Sequence, residues 1–167
     1  MQITSTYLSQ VPNTPAVYAL YGGKGRSLHV AYVGIASRLK SRLEQHLVRR
    51  DSSVTTGASA VSLNLEHLSE IRWWTRPDFV NEAFLQAAEL IAFDILNPTL
   101  RSRGAITEQA KQLYNSEEFK RTATEIFNRE SDGKLVLPSL QEALERIEKL
   151  EKLVIEMDAR IKSLENR

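Results

Sequence analysis

The chain has no cysteine, which excludes disulfides and thiolate metal sites and fits a reducing compartment. It has no basic stretch leading into an apolar one at its start. No hydrophobic run approaches the roughly 20 residues that cross a bilayer. The expectation is a cytoplasmic protein with no membrane association. Net charge is nearly absent as well, at +1. What remains, 42% hydrophobic and 26% charged residues, is the composition of an ordinary folded chain. At 167 residues it can hold one domain with a substantial core, or a smaller domain with an appendage.

The small net charge conceals an asymmetry. Residues 1–104 carry 11 Lys/Arg against 8 Asp/Glu, and residues 105–167 carry 11 against 13. Within residues 38–50, Arg38, Lys40, Arg42, Arg49 and Arg50 face only Glu44. This cluster is a candidate phosphate-binding footprint, or else a solvated helix face.

Residues 1–15 are polar, close on Pro12 and Pro15, and read as an entry segment. Ala16–Tyr21 and His29–Gly34 are short apolar runs separated by Gly22, Gly23 and Gly25, the pattern of a β-hairpin. The glycines lack Walker spacing and no helix follows them directly, which argues against a nucleotide loop. From Ala36 to Leu47 the period becomes helical. Leu39, Leu43 and Leu47 form one stripe, and Arg38, Arg42 and His46 a neighbouring one. Residues 51–60 read as a turn-rich loop.

Glu70–Thr75 reads as a third strand, on which Trp73 and Trp74 must face opposite sides. Pro77-Asp78 looks like a helix start with Asp78 as N-cap, and Asn97-Pro98 ends that helix. Between Ala83 and Leu96 its only polar side chains are Gln86, Glu89 and Asp94. A carboxylate in so apolar a helix needs a metal, a cation or hydrogen-bond donors, and an ion pair with Arg42 or Arg72 would serve. Taken one at a time, Tyr18 and Tyr32 read as hairpin packing and His46 as a surface histidine. His29 and His67 read as structural.

Residues 105–130 are polar and helical, with a break at Ser116-Glu117, and Ser131-Asp132-Gly133 interrupts them. After Pro138-Ser139 a heptad holds: Leu140, Ile147, Val154 and Ile161 at a, Ala143, Leu150, Met157 and Leu164 at d. Branched residues at most a positions with Leu at d favour a parallel two-stranded coil. Arg146 would then face Glu151 of a second copy, and Arg160 its Glu165. The expected partner is a second copy of the chain, joined through residues 140–164.

In order along the chain, Ala16-Val17-Tyr18, Tyr32-Val33-Gly34, Arg42, His46 and Glu89 ahead of Asn97-Pro98 resemble the GIY-YIG nuclease family. The resemblance covers residues 14–103. Its arginine lies ten residues past the second tyrosine and its glutamate nine before a proline, both at the family's spacing. Trp73-Trp74 and the run Leu100 to Arg103 resemble a bacterial or phage subgroup. The resemblance implies an α+β fold, a small three-stranded antiparallel sheet flanked by helices. It also implies an active site in which Tyr18 and Tyr32 line the cleft, Tyr18 as general base or water-positioning group. Arg42 would hold the scissile phosphate, His46 would assist proton transfer or contact phosphate, and Glu89 would be the sole protein ligand of Mg²⁺ or Mn²⁺.

That chemistry is coherent. Mg²⁺ keeps several waters and needs only one or two carboxylates, and arginine matches phosphate geometry. Two positions depart from the family: Ile35 stands where many members have lysine, and Arg101 where many have asparagine. Arg101 and Arg103 join Arg38, Lys40, Arg49 and Arg50 as candidate nucleic-acid contacts. The resulting expectation is a nuclease-like domain over residues 1–104, a helical connector over 105–134 and a coiled-coil dimerisation segment over 135–167. The function expected is a metal-dependent endonuclease acting on DNA. The alternative is an inactive DNA-binding module that recruits a partner through its coil. No recognition helix or zinc finger is evident, and the residues do not separate DNA from RNA.

Overall fold

A computed structural model describes residues 7–23, 25–49, 67–101, 104–137 and 140–165. Residues 51–60, read as a loop, lie outside the described residues. Two compact units emerge, Gln2–Leu137 and Pro138–Arg167. The first is α+β.

Its sheet grows from β1 (Ala16–Gly22), β2 (His29–Ala36) and β3 (Leu68–Thr75), which form the expected antiparallel three, with β1 in the centre. Two further strands make it a five-stranded mixed sheet rather than a three-stranded antiparallel one. β4 (Leu100–Arg101) adds in parallel to β2, and β5 (Gly133–Val136) pairs antiparallel with β3, giving the order β4-β2-β1-β3-β5. β4 has two residues and β5 four, too short for an alternating pattern to stand out. Only their pairing partners define them.

Every residue of β1 is buried, because both faces of the sheet are covered. Tyr18, Leu20, Tyr32, Ile71 and Trp73 share one side with α1 (Leu39–Leu43), whose Leu39 and Leu43 are fully buried, as is Leu47 just beyond. Each such leucine contributes about 1.5–3 kcal/mol by leaving water. Val17, Ala19, Val33 and Trp74 share the other side with α2 (Glu82–Leu96) and α4 (Glu117–Asn128). Trp73 and Trp74 thus separate to opposite faces, as strand alternation requires.

The entry segment is part of this core. Leu8 and Val11 are buried with the α1 side, and the carbonyls of Thr14 and Pro12 accept from the Leu39 and Lys40 amides at 3.1 and 3.3 Å. Asn13 Oδ1 accepts from the Ser41 amide at 3.3 Å. Past Leu43 the helix widens into a π-helical turn, Glu44–Arg49, a feature that often marks functional positions.

Asp78 does not cap α2. It belongs to a 3₁₀ turn, Pro77–Val80, and pairs with Arg76 at 2.8 Å. The cap is Asn81, whose side chain accepts from the Ala83 amide at 2.9 Å, a contact worth about 1 kcal/mol. α2 closes at Asn97, left-handed at φ 43°, and Pro98 prevents continuation.

The helices of residues 105–134 pack against the first unit. α3 (Glu108–Tyr114) buries Ala110 against Ala83 and Ala87 of α2, and α4 contributes Ala123, Ile126 and Phe127 to the α2-side core. Gln86 anchors the approach to α3, accepting from both the amide and hydroxyl of Thr107 at 2.9 Å. Asp132 accepts from the Thr75 amide at 2.6 Å and so fastens β5 to β3. The first unit therefore reaches Leu137, and β5 takes Leu135 and Val136, the first two residues of the expected 135–167 segment; the heptad itself, from Leu140, lies outside it.

The second unit is α5 (Leu140–Glu165), one helix of 26 residues. Its heptad residues Ile147, Leu150, Val154, Met157, Ile161 and Leu164 are all exposed. Leu144, Leu153 and Ile155 are exposed as well and lie outside the a and d positions. Among the described residues, no helix is long and apolar enough to cross a membrane.

Candidate active site

Four of the five predicted catalytic residues gather on the α1 side of the sheet. Tyr18 lies opposite Gly34 and Tyr32 opposite Leu20 in the β1–β2 ladder, so the two tyrosines are diagonal neighbours on one face. Their ring centroids are 6.0 Å apart. The π-helical turn brings His46 onto both, with centroids 5.9 Å from Tyr18 and 5.8 Å from Tyr32. The three rings form a nearly equilateral triangle.

The missing side chain at Gly34 makes the triangle possible. A Cβ there would stand 2.7 Å from the Tyr32 hydroxyl and 3.0 Å from that of Tyr18. Both hydroxyls therefore converge over a bare stretch of β2. Alternation along a strand carries no sign of this close approach.

His46 is not a surface residue. It is fully buried, and its Nε2 lies 2.7 Å from the Tyr18 hydroxyl. Burial, helped by the Arg42 charge, lowers its pKa to about 4, so its imidazole is neutral near pH 7. In the tautomer protonated at Nδ1, the Tyr18 hydroxyl donates to Nε2.

Arg42 reaches the cluster from α1, half-buried, with Nη1 donating to Gln45 Oε1 at 3.1 Å. Burial raises the Tyr18 pKa well above the ordinary tyrosine value. Tyr32 adds to the rise, while the charge and hydrogen bond of Arg42 oppose it. Tyr32 is also raised, first by burial, with the negative charge of Glu89 adding to it; the Tyr18 hydrogen bond and Arg42 act against it. Both tyrosines are therefore held protonated.

Glu89 comes from α2, which covers the other face of the sheet, and is 4% exposed. Its negative charge contributes to the raised pKa of Tyr32. Among the described residues, no group of three or more His, Asp or Glu side chains could hold a metal. The available donors are one carboxylate and phenolic oxygens. A single carboxylate with phenolic oxygens fits a Mg²⁺-type ion that is held mainly by water and substrate phosphate.

The basic segment has Arg38 and Arg49 exposed at its ends and Lys40 half-buried between them. Arg101 is exposed on β4, and Arg50 and Arg103 lie outside the described residues. Comparison of the chain with models of protein families, with curated proteins and with solved structures finds no match.

Proposed function

We propose that the chain is a divalent-metal-dependent endonuclease that hydrolyses DNA phosphodiester bonds. The observation that carries this reading is the buried Tyr18–His46 hydrogen bond with Arg42 acting on both partners. The guanidinium of Arg42 binds the scissile phosphate through two parallel donors and offsets the charge of the transition state. With both tyrosines protonated, Tyr18 is not itself the terminal base. It orients the attacking water, takes the proton that water releases and passes its own to His46 Nε2. Burial, the larger cause of the lowered His46 pKa, keeps the imidazole neutral and able to accept a proton, and a bound phosphate anion opposes the smaller Arg42 contribution. Tyr32, between Tyr18 and the Glu89 charge, positions the water or the phosphate. Glu89 would hold a Mg²⁺ or Mn²⁺ ion, which supplies Lewis acidity at the phosphoryl and leaving oxygens when bound.

α5 joins two copies as a parallel coil, with Arg146 and Arg160 of one facing Glu151 and Glu165 of the other. Two sites on one DNA molecule then become available to a single dimer. The near-complete burial of Tyr18, Tyr32 and His46 favours a second reading, a module that binds DNA without turnover and recruits a partner through the coil. Nicking of supercoiled plasmid with Mn²⁺ separates the two. The nuclease reading expects nicking by the wild-type chain and none by Glu89→Gln, together with an Mn²⁺-induced rise in Tm that the variant lacks. Absence of nicking and of any Mn²⁺ shift in the wild type would transfer the assignment to the binding module.

A further inference from the structure

A long side chain such as that of Arg42 samples many rotamers unless something restrains it. Here Nη1 donates to Gln45 Oε1 at 3.1 Å. Gln45 stands three residues on, where a helical neighbour shares the face of Arg42. It belongs to the same π-helical turn, Glu44–Arg49, as His46. That turn therefore supplies the site with two groups, the imidazole bonded to Tyr18 and an acceptor for the guanidinium. Arg42 and Gln45 are both half-buried, so the bond is partly shielded from competing water.

The acceptor is neutral, and this sets Arg42 apart. Arg72 is paired with Glu70, and Arg76 with Asp78. Arg42 makes no ion pair among the described residues, although Glu44 is only two positions away. A carboxylate at position 45 would hold the guanidinium more tightly but would cancel its charge, and a phosphate would then have to displace it. An amide carbonyl restrains the fork and leaves the whole charge to an incoming anion. That charge acts on Tyr18, Tyr32 and His46 alike.

We propose that Gln45 is a positioning residue, holding the Arg42 guanidinium for the scissile phosphate without neutralising it. This rests on the nuclease reading and adds to it a residue outside the set of Tyr18, Tyr32, Arg42, His46 and Glu89.

The test is fluorescence anisotropy with a fluorescein-labelled DNA duplex, without divalent ions so that nothing is cut, over about 50–200 mM salt. The full chain is compared with Arg42→Ala, Gln45→Met, Gln45→Glu and the double variant Arg42→Ala/Gln45→Met. Gln45→Met keeps the length and neutrality of the side chain but removes the acceptor. It is expected to weaken Kd severalfold in the wild-type background and to change nothing in the Arg42→Ala background, as a residue acting only through Arg42 must. Gln45→Glu keeps the acceptor but pairs the charge. The slope of log K against log salt should then fall by about 0.9, as it should for Arg42→Ala. A wild-type Kd for Gln45→Met, or an equal loss in both backgrounds such as a purely structural role gives, would overturn the proposal. So would a wild-type slope for Gln45→Glu. With the Arg42→Ala slope reduced, each of these results leaves the nuclease reading standing. A wild-type slope for Arg42→Ala, or failure of the wild-type chain to bind the duplex, would overturn the phosphate contact of that reading and this inference together.

Discussion

The Tyr18 hydroxyl and His46 Nε2 meet at 2.7 Å with neither residue exposed to solvent. The bond joins the central strand to the π-helical turn across 28 residues of sequence. It also accounts for how an imidazole is tolerated in the leucine-lined core: a buried polar group without a partner costs about 1–3 kcal/mol.

Stability should fall with pH because of His46. The unfolded chain takes up a proton at His46 near 6.5, and the folded chain only near 4. Between these values the unfolded state binds more protons, so the His46 contribution is complete above about pH 6.5 and is lost as pH falls toward 4. The full loss is roughly 3 kcal/mol. Urea unfolding at pH 7 and pH 4.5 should show a smaller drop for His46→Gln than for the wild-type chain. Equal drops would place the titration elsewhere.

Gly34→Ala should destabilise the first unit by about 1–3 kcal/mol, since the added methyl group meets the Tyr32 ring and hydroxyl inside a packed triangle. Tyr32→Phe removes the nearest atom, at 2.7 Å, but leaves the ring carbon at 2.8 Å. The double variant should therefore recover part of the loss. A double-mutant cycle by denaturant titration measures this, and strict additivity would mean that the strain is relieved by another route.

The exposed apolar residues of α5 carry the dimer prediction. At micromolar concentration the chain should sediment as a dimer. Leu150→Glu, which places charge at the d position of the second heptad, should give a monomer. A wild-type monomer would remove the paired-site reading and leave the chemistry at Arg42 and Glu89 untouched.

Local chemistry made much of this protein legible in its sequence. Short apolar runs around a glycine turn marked β1 and β2, the Ile71 to Trp74 segment marked β3, a four-residue leucine spacing marked α1, and Asn97-Pro98 marked the end of α2. The heptad marked α5 as well, because each of these signals depends on residues within one or two turns of one another. The family resemblance, and not any local signal, singled out Tyr18, Tyr32, Arg42 and His46, four side chains that the fold brings together.

Long-range packing decided the rest. β4 and β5 exist only because β2 and β3 offer them backbone partners, and α3 and α4 belong to the first unit because they cover α2. Asn81 rather than Asp78 caps α2 because a 3₁₀ turn comes first. The inward position of His46, its depressed pKa and the need for a glycine at position 34 arise from close approaches between segments distant in the chain. Sequence order specified which residues could make the site. Burial, and the charges it brings together, decided their protonation and therefore what each can do.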